Sequence, residues 1–259
     1  MKKKILKMCS IILVLTMLST YSIIFAAASD FSDLTPDRIS IEKAITDIDE
    51  ELQSNGTSIE VELTNLRSQY INNAVAAESS EEMERWMKLA SGVDILINDY
   101  ASYKSLEQGN LMPQSGPIDE AYLKTAVAAV VTWFSSKRYY LSAELLVTAR
   151  DNTSEDLVYI PSNKNIIYNS SVVKNLIKNG RSSGSGEFSS SGELDLYYAI
   201  HLFNYEKKNN VFILTDIYDY EHGDQSYGDS IAQVAVDTMA DAQSAGIIVP
   251  YTVLVRVPY

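Results

Sequence analysis

LYYAIHLFNYEKKNNVFILTDIYDY, residues 196–220, decides the fold. Two runs within it, 196–205 and 211–220, alternate apolar and polar side chains. That is the period of a strand with one buried face. Glu206-Lys207-Lys208-Asn209-Asn210 joins the runs and has the length and polarity of a hairpin connection. A two-residue turn at Lys208-Asn209 sets His201 opposite Asp216. A turn at Asn209-Asn210 changes the partners but not the parity. In both registers His201, Phe203 and Tyr205 share a face with Phe212, Leu214, Asp216, Tyr218 and Tyr220. This face is apolar near the turn and polar at its far end.

Downstream, Asp229 or Ser230 is placed to cap a helix over 231–244, and Gly246 closes it. A last strand is expected over 247–249 and 251–257, with Pro250 between. Upstream, 180–192 (GRSSGSGEFSSSG) is low in complexity and reads as a mobile loop, or as a lid over a neighbouring site. A short helix is expected over 170–177, an extended piece over 157–160, and a helical pair over 121–134 and 141–149. The fold class is therefore α+β, with an antiparallel sheet and packed helices over 118–259. Two prolines and two glycines in 109–117 (GNLMPQSGP) mark a boundary. Before it lies an acidic helical region, 29–108. Ile41, Ala44, Ile45, Ile48 and Leu52 recur at helical spacing until Asn55-Gly56, and two further helices are expected over 57–77 and from Ser79-Ser80 to Tyr103. Its charge reads as a solvated face.

The first 28 residues speak of location. Lys2, Lys3, Lys4 and Lys7 precede an apolar run from Ile11 to Phe25, and Ala26-Ala27-Ala28 follow. This order is that of a secretory signal peptide cleaved after Ala28. The run is too short and too rich in hydroxyls for a stable membrane anchor. Cleavage would remove Cys9, the only cysteine, and leave 17 basic residues against 34 acidic ones, a net charge of −17. Such a chain has no disulfide and no thiolate nucleophile. Its charge excludes nucleic acid as a partner, since phosphate contact needs a basic surface. An exported chain without disulfides suits a Gram-positive bacterium, and the setting is extracellular.

The residues that carry chemistry gather at the end of the second run. His201 beside Asp216, with Tyr218 and His222 near, is a candidate general acid–base group. A structural His–Asp or His–Tyr hydrogen bond is the alternative. Asp216, Asp219, Glu221 and Asp224 supply the hard oxygen ligands that suit Ca²⁺ or Mg²⁺, without the spacing of an EF-hand. A solvated acidic loop is the plainer reading. Gly228-Asp229-Ser230-Ile231 matches the nucleophile block of GDSL-type hydrolases. The Asp-x-x-His of such enzymes lies far downstream of that block, whereas here Asp219 to His222 precedes it. Ser230 is better explained as a helix cap. No phosphate loop, nucleophile elbow or dinucleotide fingerprint occurs.

Ile213–Tyr220 (ILTDIYDY), together with 196–201 (LYYAIH), 249–251 (VPY) and 133–146 (WFSSKRYYLSAELL), resembles a group of uncharacterised secreted proteins of Firmicutes. The likeness covers most of 118–259 and implies export but no activity. The Asp-x-Tyr-Asp spacing of Asp216, Tyr218 and Asp219 also resembles that of colicin M-type enzymes, which cleave the lipid-linked peptidoglycan precursor at its phosphodiester. Those enzymes carry a His-Arg pair a few residues later. Here His222 comes earlier and no arginine follows it. The resemblance implies a metal-assisted phosphodiesterase directed at envelope material. The second reading is a non-catalytic secreted module that binds an extracellular ligand through its tyrosine-rich surface.

Overall fold

The computed structural model describes residues 38–108, 120–221 and 230–259. The described residues belong to one compact unit. Helices α1 (Arg38–Ser54), α2 (Ile59–Ala76) and α3 (Ser80–Gln108) come first, followed by α4 (Glu120–Ser136) and α5 (Tyr140–Asp151). A short strand β1 (Val158–Tyr159), helices α6 (Asn165–Asn169) and α7 (Ser171–Lys178), and strand β2 (Ser183–Glu187) lead to the deciding stretch. There the chain forms α8 (Leu194–Ala199), β3 (Leu202–Lys208) and β4 (Val211–Tyr218), then α9 (Ser230–Ser244) and β5 (Tyr251–Pro258). The fold is α+β. Its five-stranded sheet runs β1-β5-β4-β3-β2, antiparallel except for the β1–β5 pair.

Each helix of the acidic region buries an apolar stripe and leaves most of its charges at the surface. Ile41, Ile45, Ile48 and Leu52 of α1 are buried, as are Leu63, Leu66 and Tyr70 of α2. Ser58 caps α2 by accepting from the Val61 N–H at 3.3 Å. Helix α4 is buried over most of its length, from Tyr122 to Ser135. An Ala/Val-rich helix of this kind has no polar face to present and must lie inside. Trp133 Nε1 donates to Glu51 of α1 at 2.9 Å, and Lys137 pairs with the same carboxylate. The buried side chains on both sides of residues 109–119 thus belong to one core.

The hairpin parity holds. Asn209 and Asn210 carry φ of 52° and 60°, which is the geometry of a type I′ turn, and Lys208 pairs with Val211. Phe203, Tyr205, Phe212, Leu214 and Tyr218 are buried together, with Val253, Val255 and Val257 of β5 beside them.

Two expectations are corrected. The strand expected from residue 196 begins only at Leu202. Residues 194–199 are helical, closed by Tyr197 N–H donating to Glu193 O and Ile200 N–H to Leu196 O. Leu196, Tyr197, Ala199 and Ile200 are all buried, so this segment is covered on every side and its alternation carried no strand signal. The stretch read as a mobile loop contributes β2, in register with β3 through Gly184↔Tyr205 and Gly186↔Phe203. Glycine is required there. A Cβ at Gly186 would lie 2.4 Å from the Phe203 ring and 2.8 Å from Leu176. The aromatic side chains of β3 lie across the bare backbone of β2 in place of its own side chains.

Candidate functional site

Helix α8 is held by a capping contact. The Asp195 carboxylate accepts from the backbone N–H groups of Leu141 at 3.1 Å and Ser142 at 2.8 Å. Tyr139, at the N-cap position of α5, makes no side-chain capping bond. This fixes Tyr197 and Tyr198. The Tyr198 ring packs against Trp133, Phe134 and Tyr139, with centroids 5.6–5.9 Å apart. Tyr197 meets the His201 imidazole edge to face at 4.9 Å.

The end of β4 faces these rings. Between them is a cavity of about 260 Å³. Its walls are Phe134 of α4, Tyr197 to Ala199 of α8, the adjoining His201 and Leu202, the run Asp216 to Glu221, and Gln233 and Val236 of α9. Tyr218 and Tyr220 project to one side, and their hydroxyl oxygens are 2.6 Å apart in a hydrogen bond. Gln243 of α9 fixes the chain where the strand ends. Its Oε1 accepts from the Tyr220 N–H at 2.9 Å and its Nε2 donates to the Tyr220 carbonyl at 3.3 Å.

The electrostatics follow from enclosure. Burial pushes the Asp216 carboxyl well above the usual range, and the neighbouring Asp219 pushes it further, against one backbone N–H donated by Ile217. Burial raises Asp219 as well. Tyr218 is driven up by burial first, then by its neighbours Tyr220 and Tyr251. A cleft where several titratable groups are shifted together has the character of a functional site.

Of the residues singled out in the sequence, His201, Asp216, Tyr218, Asp219 and Glu221 all line this cavity. His222 and Asp224 lie outside the described residues. His201 also lies beside an acid of β2. Its Nε2 lies 3.5 Å from Glu187 Oε1 of β2, and its carbonyl accepts from Phe188 N–H. Sequence reasoning missed Glu187, Tyr197, Tyr198 and Gln233. Only the adjacent pair Tyr197-Tyr198 gave a signal, since two rings on consecutive residues of one helix turn reach different neighbours. Among the described residues no three His, Cys, Asp or Glu side chains group closely enough to hold a metal ion, so Asp216, Asp219 and Glu221 share the cavity without forming such a set. No helix among the described residues is long and apolar enough to cross a membrane.

No protein-family model, no curated protein and no solved structure matches this chain.

Proposed function

We propose that this is an exported protein that acts outside the cell as a ligand-binding module, with the cavity between α8, the end of β4 and α9 as its ligand site. One observation carries the reading. Four tyrosines, a phenylalanine, a histidine and three acids from three separate stretches of the chain converge on a single concave surface. Aromatic walls with a few polar groups are the usual make-up of a ligand pocket. Export rests on the ordered basic, apolar and small-residue segments of 1–28. The test is native mass spectrometry of the purified chain with fractionated peptidoglycan fragments and small metabolites of the culture medium. A one-to-one complex that disappears in Asp219→Lys is the expected result. Complexes that persist in that variant would refute the site.

A second reading is favoured by a separate observation. Asp216, Tyr218 and Asp219, the three residues of the Asp-x-Tyr-Asp spacing, all open on the same cavity as His201. In that reading Ca²⁺ or Mg²⁺ joins the carboxylates and an envelope phosphodiester is cleaved, with His201 as proton carrier. A rise in melting temperature with either ion, lost in Asp216→Asn and accompanied by phosphodiester hydrolysis, supports it. A flat response to both ions removes it.

A further inference from the structure

We infer that the cavity selects an organic cation, an ammonium or guanidinium group carried on a short flexible chain such as the side chain of a basic peptide. This rests on the cavity being the ligand site.

The charge of the walls comes first. Asp216, Asp219 and Glu221 line the cavity, and no lysine or arginine does so among the described residues. An anion entering would face carboxylates with no basic donor to receive it. Carboxylates gathered in a partly enclosed space lack the solvation they had in water, and a positive charge placed between them restores it.

Hydrogen-bond capacity points the same way. The carboxylates offer acceptors. The hydroxyls of Tyr218 and Tyr220 are bonded to each other, which uses one of their two protons within the pair. A carboxylate is complemented by a ligand made of donors. An ammonium brings three and a guanidinium five, with no acceptor between them.

Phe134, Tyr197, Tyr198, Tyr218 and Tyr220 supply aromatic wall. A cation is attracted to the negative face of an aromatic ring, and an organic cation also buries its carbon stem against it. A bare Ca²⁺ or Mg²⁺ instead asks for six or more oxygen ligands and gains little from rings. At about 260 Å³ the space lies just below the ~300–1,000 Å³ of pockets for drug-sized ligands, which fits one amine-bearing chain.

The experiment is calorimetric titration of the purified chain with N-acetyl-lysine methylamide and n-butylguanidinium. Parallel probes are the Nε-acetylated lysine compound, N-acetylglucosamine, acetate, CaCl₂ and MgCl₂. Both cations are expected to bind. Nε-acetylation should weaken binding at least tenfold, since it removes the charge and keeps the stem. Asp216→Asn and Asp219→Asn should each weaken the cations at least tenfold, with folding checked by circular dichroism. Asp219 is exposed at the rim, so its variant tests the site even if Asp216→Asn does not fold. Binding of the saccharide, acetate or the metal ions without the amines overturns the cation inference and leaves the cavity a ligand site. Amine binding unchanged in both variants overturns the assignment to this cavity. No binding of any probe by the folded protein overturns both.

Discussion

Asp195 caps a helix that begins far earlier in the chain, and Ser142 is its main partner. The Ser142 N–H donates to Asp195 Oδ1 at 2.8 Å, while Ser142 Oγ sits 2.8 Å from the same oxygen and 3.0 Å from the Asp195 carbonyl. Burial raises the Asp195 carboxyl and these donors pull it back.

Asp195→Ala therefore removes a helix cap and leaves buried donors unmet. A loss of about 2–4 kcal/mol in urea unfolding is expected. Asp195→Asn keeps an acceptor and should lose less. Because α8 carries Tyr197 and Tyr198, the alanine variant should also disturb the cavity. A change under about 0.5 kcal/mol, the scale of an ordinary surface substitution, would count against the capping role.

The glycines of β2 give a paired test. Gly186→Ala forces a methyl to 2.4 Å from the Phe203 ring, with Leu176 closing the other side. Overpacking of this kind costs about 1–3 kcal/mol. At Gly184 the nearest atoms belong to the outer end of the Tyr205 ring, 3.2 Å away, so Gly184→Ala should cost under about 1 kcal/mol. Equal stabilities for the two variants would contradict the register Gly186↔Phe203.

The raised Asp216 pKa makes a pH-dependent prediction. The folded state holds this proton more tightly than the unfolded chain, whose carboxyl titrates near 3.8. Ionisation therefore costs stability. The cost is absent below that pH, accumulates as pH rises toward the folded pKa, and is constant beyond it. The groups facing Asp216 are Asp219, Glu221, His201 and the tyrosines of the cavity. Asp216→Asn removes the cost, so its melting temperature should match the wild type at the acid end and exceed it by pH 7. Each kcal/mol is about 2–4 °C in a chain of this size. A variant less stable at pH 7 than at pH 4, relative to wild type, would show that the ionised carboxylate is stabilising.

Arg138 closes α4 with φ of 63°. Its N–H donates to Ser135 O at 2.9 Å and the Tyr139 N–H to Phe134 O at 2.8 Å, which is a Schellman ending. Glycine suits this position better than any residue with a Cβ. Arg138→Gly should stabilise the protein by about 0.5–1 kcal/mol, read as a shift in the denaturation midpoint at constant slope. Destabilisation would mean that the arginine side chain holds a contact worth more than the strain.

The helices of 38–108 and the hairpin parity were legible because those segments have one side more buried than the other, whereas α4 and α5, buried nearly all round, were legible as long apolar runs between breakers. Ile41, Ile45, Ile48 and Leu52, or Phe212 and Leu214, betray their period by alternating with less buried neighbours. Residues 194–199 have no dry and wet side, so period could not separate helix from strand, and the deciding contact, Asp195 with Ser142, is remote in sequence. β2 was illegible for the opposite reason. Its glycines look like a linker until Phe203 and Tyr205 are laid over them. Since Glu187 lies in that strand, the neighbour of His201 was hidden with it. Asp216, Tyr218 and Asp219 stood out because acids at the end of an apolar strand need a reason to be there.

The placement of β5 also governs when the molecule can fold. Tyr251–Pro258 lies between β1 and β4, so it joins strands that precede it by very different lengths of chain. Helices α2 and α3 pack chiefly on each other, whereas α1 packs on α4 and on α9 and must wait for chain made much later. The sheet cannot close until residues 251–258 have been released. Its slowest step is thus a search over long loops, late in the life of the nascent chain. Until then Val158, Phe212 and Leu214 have no neighbouring strand on that side.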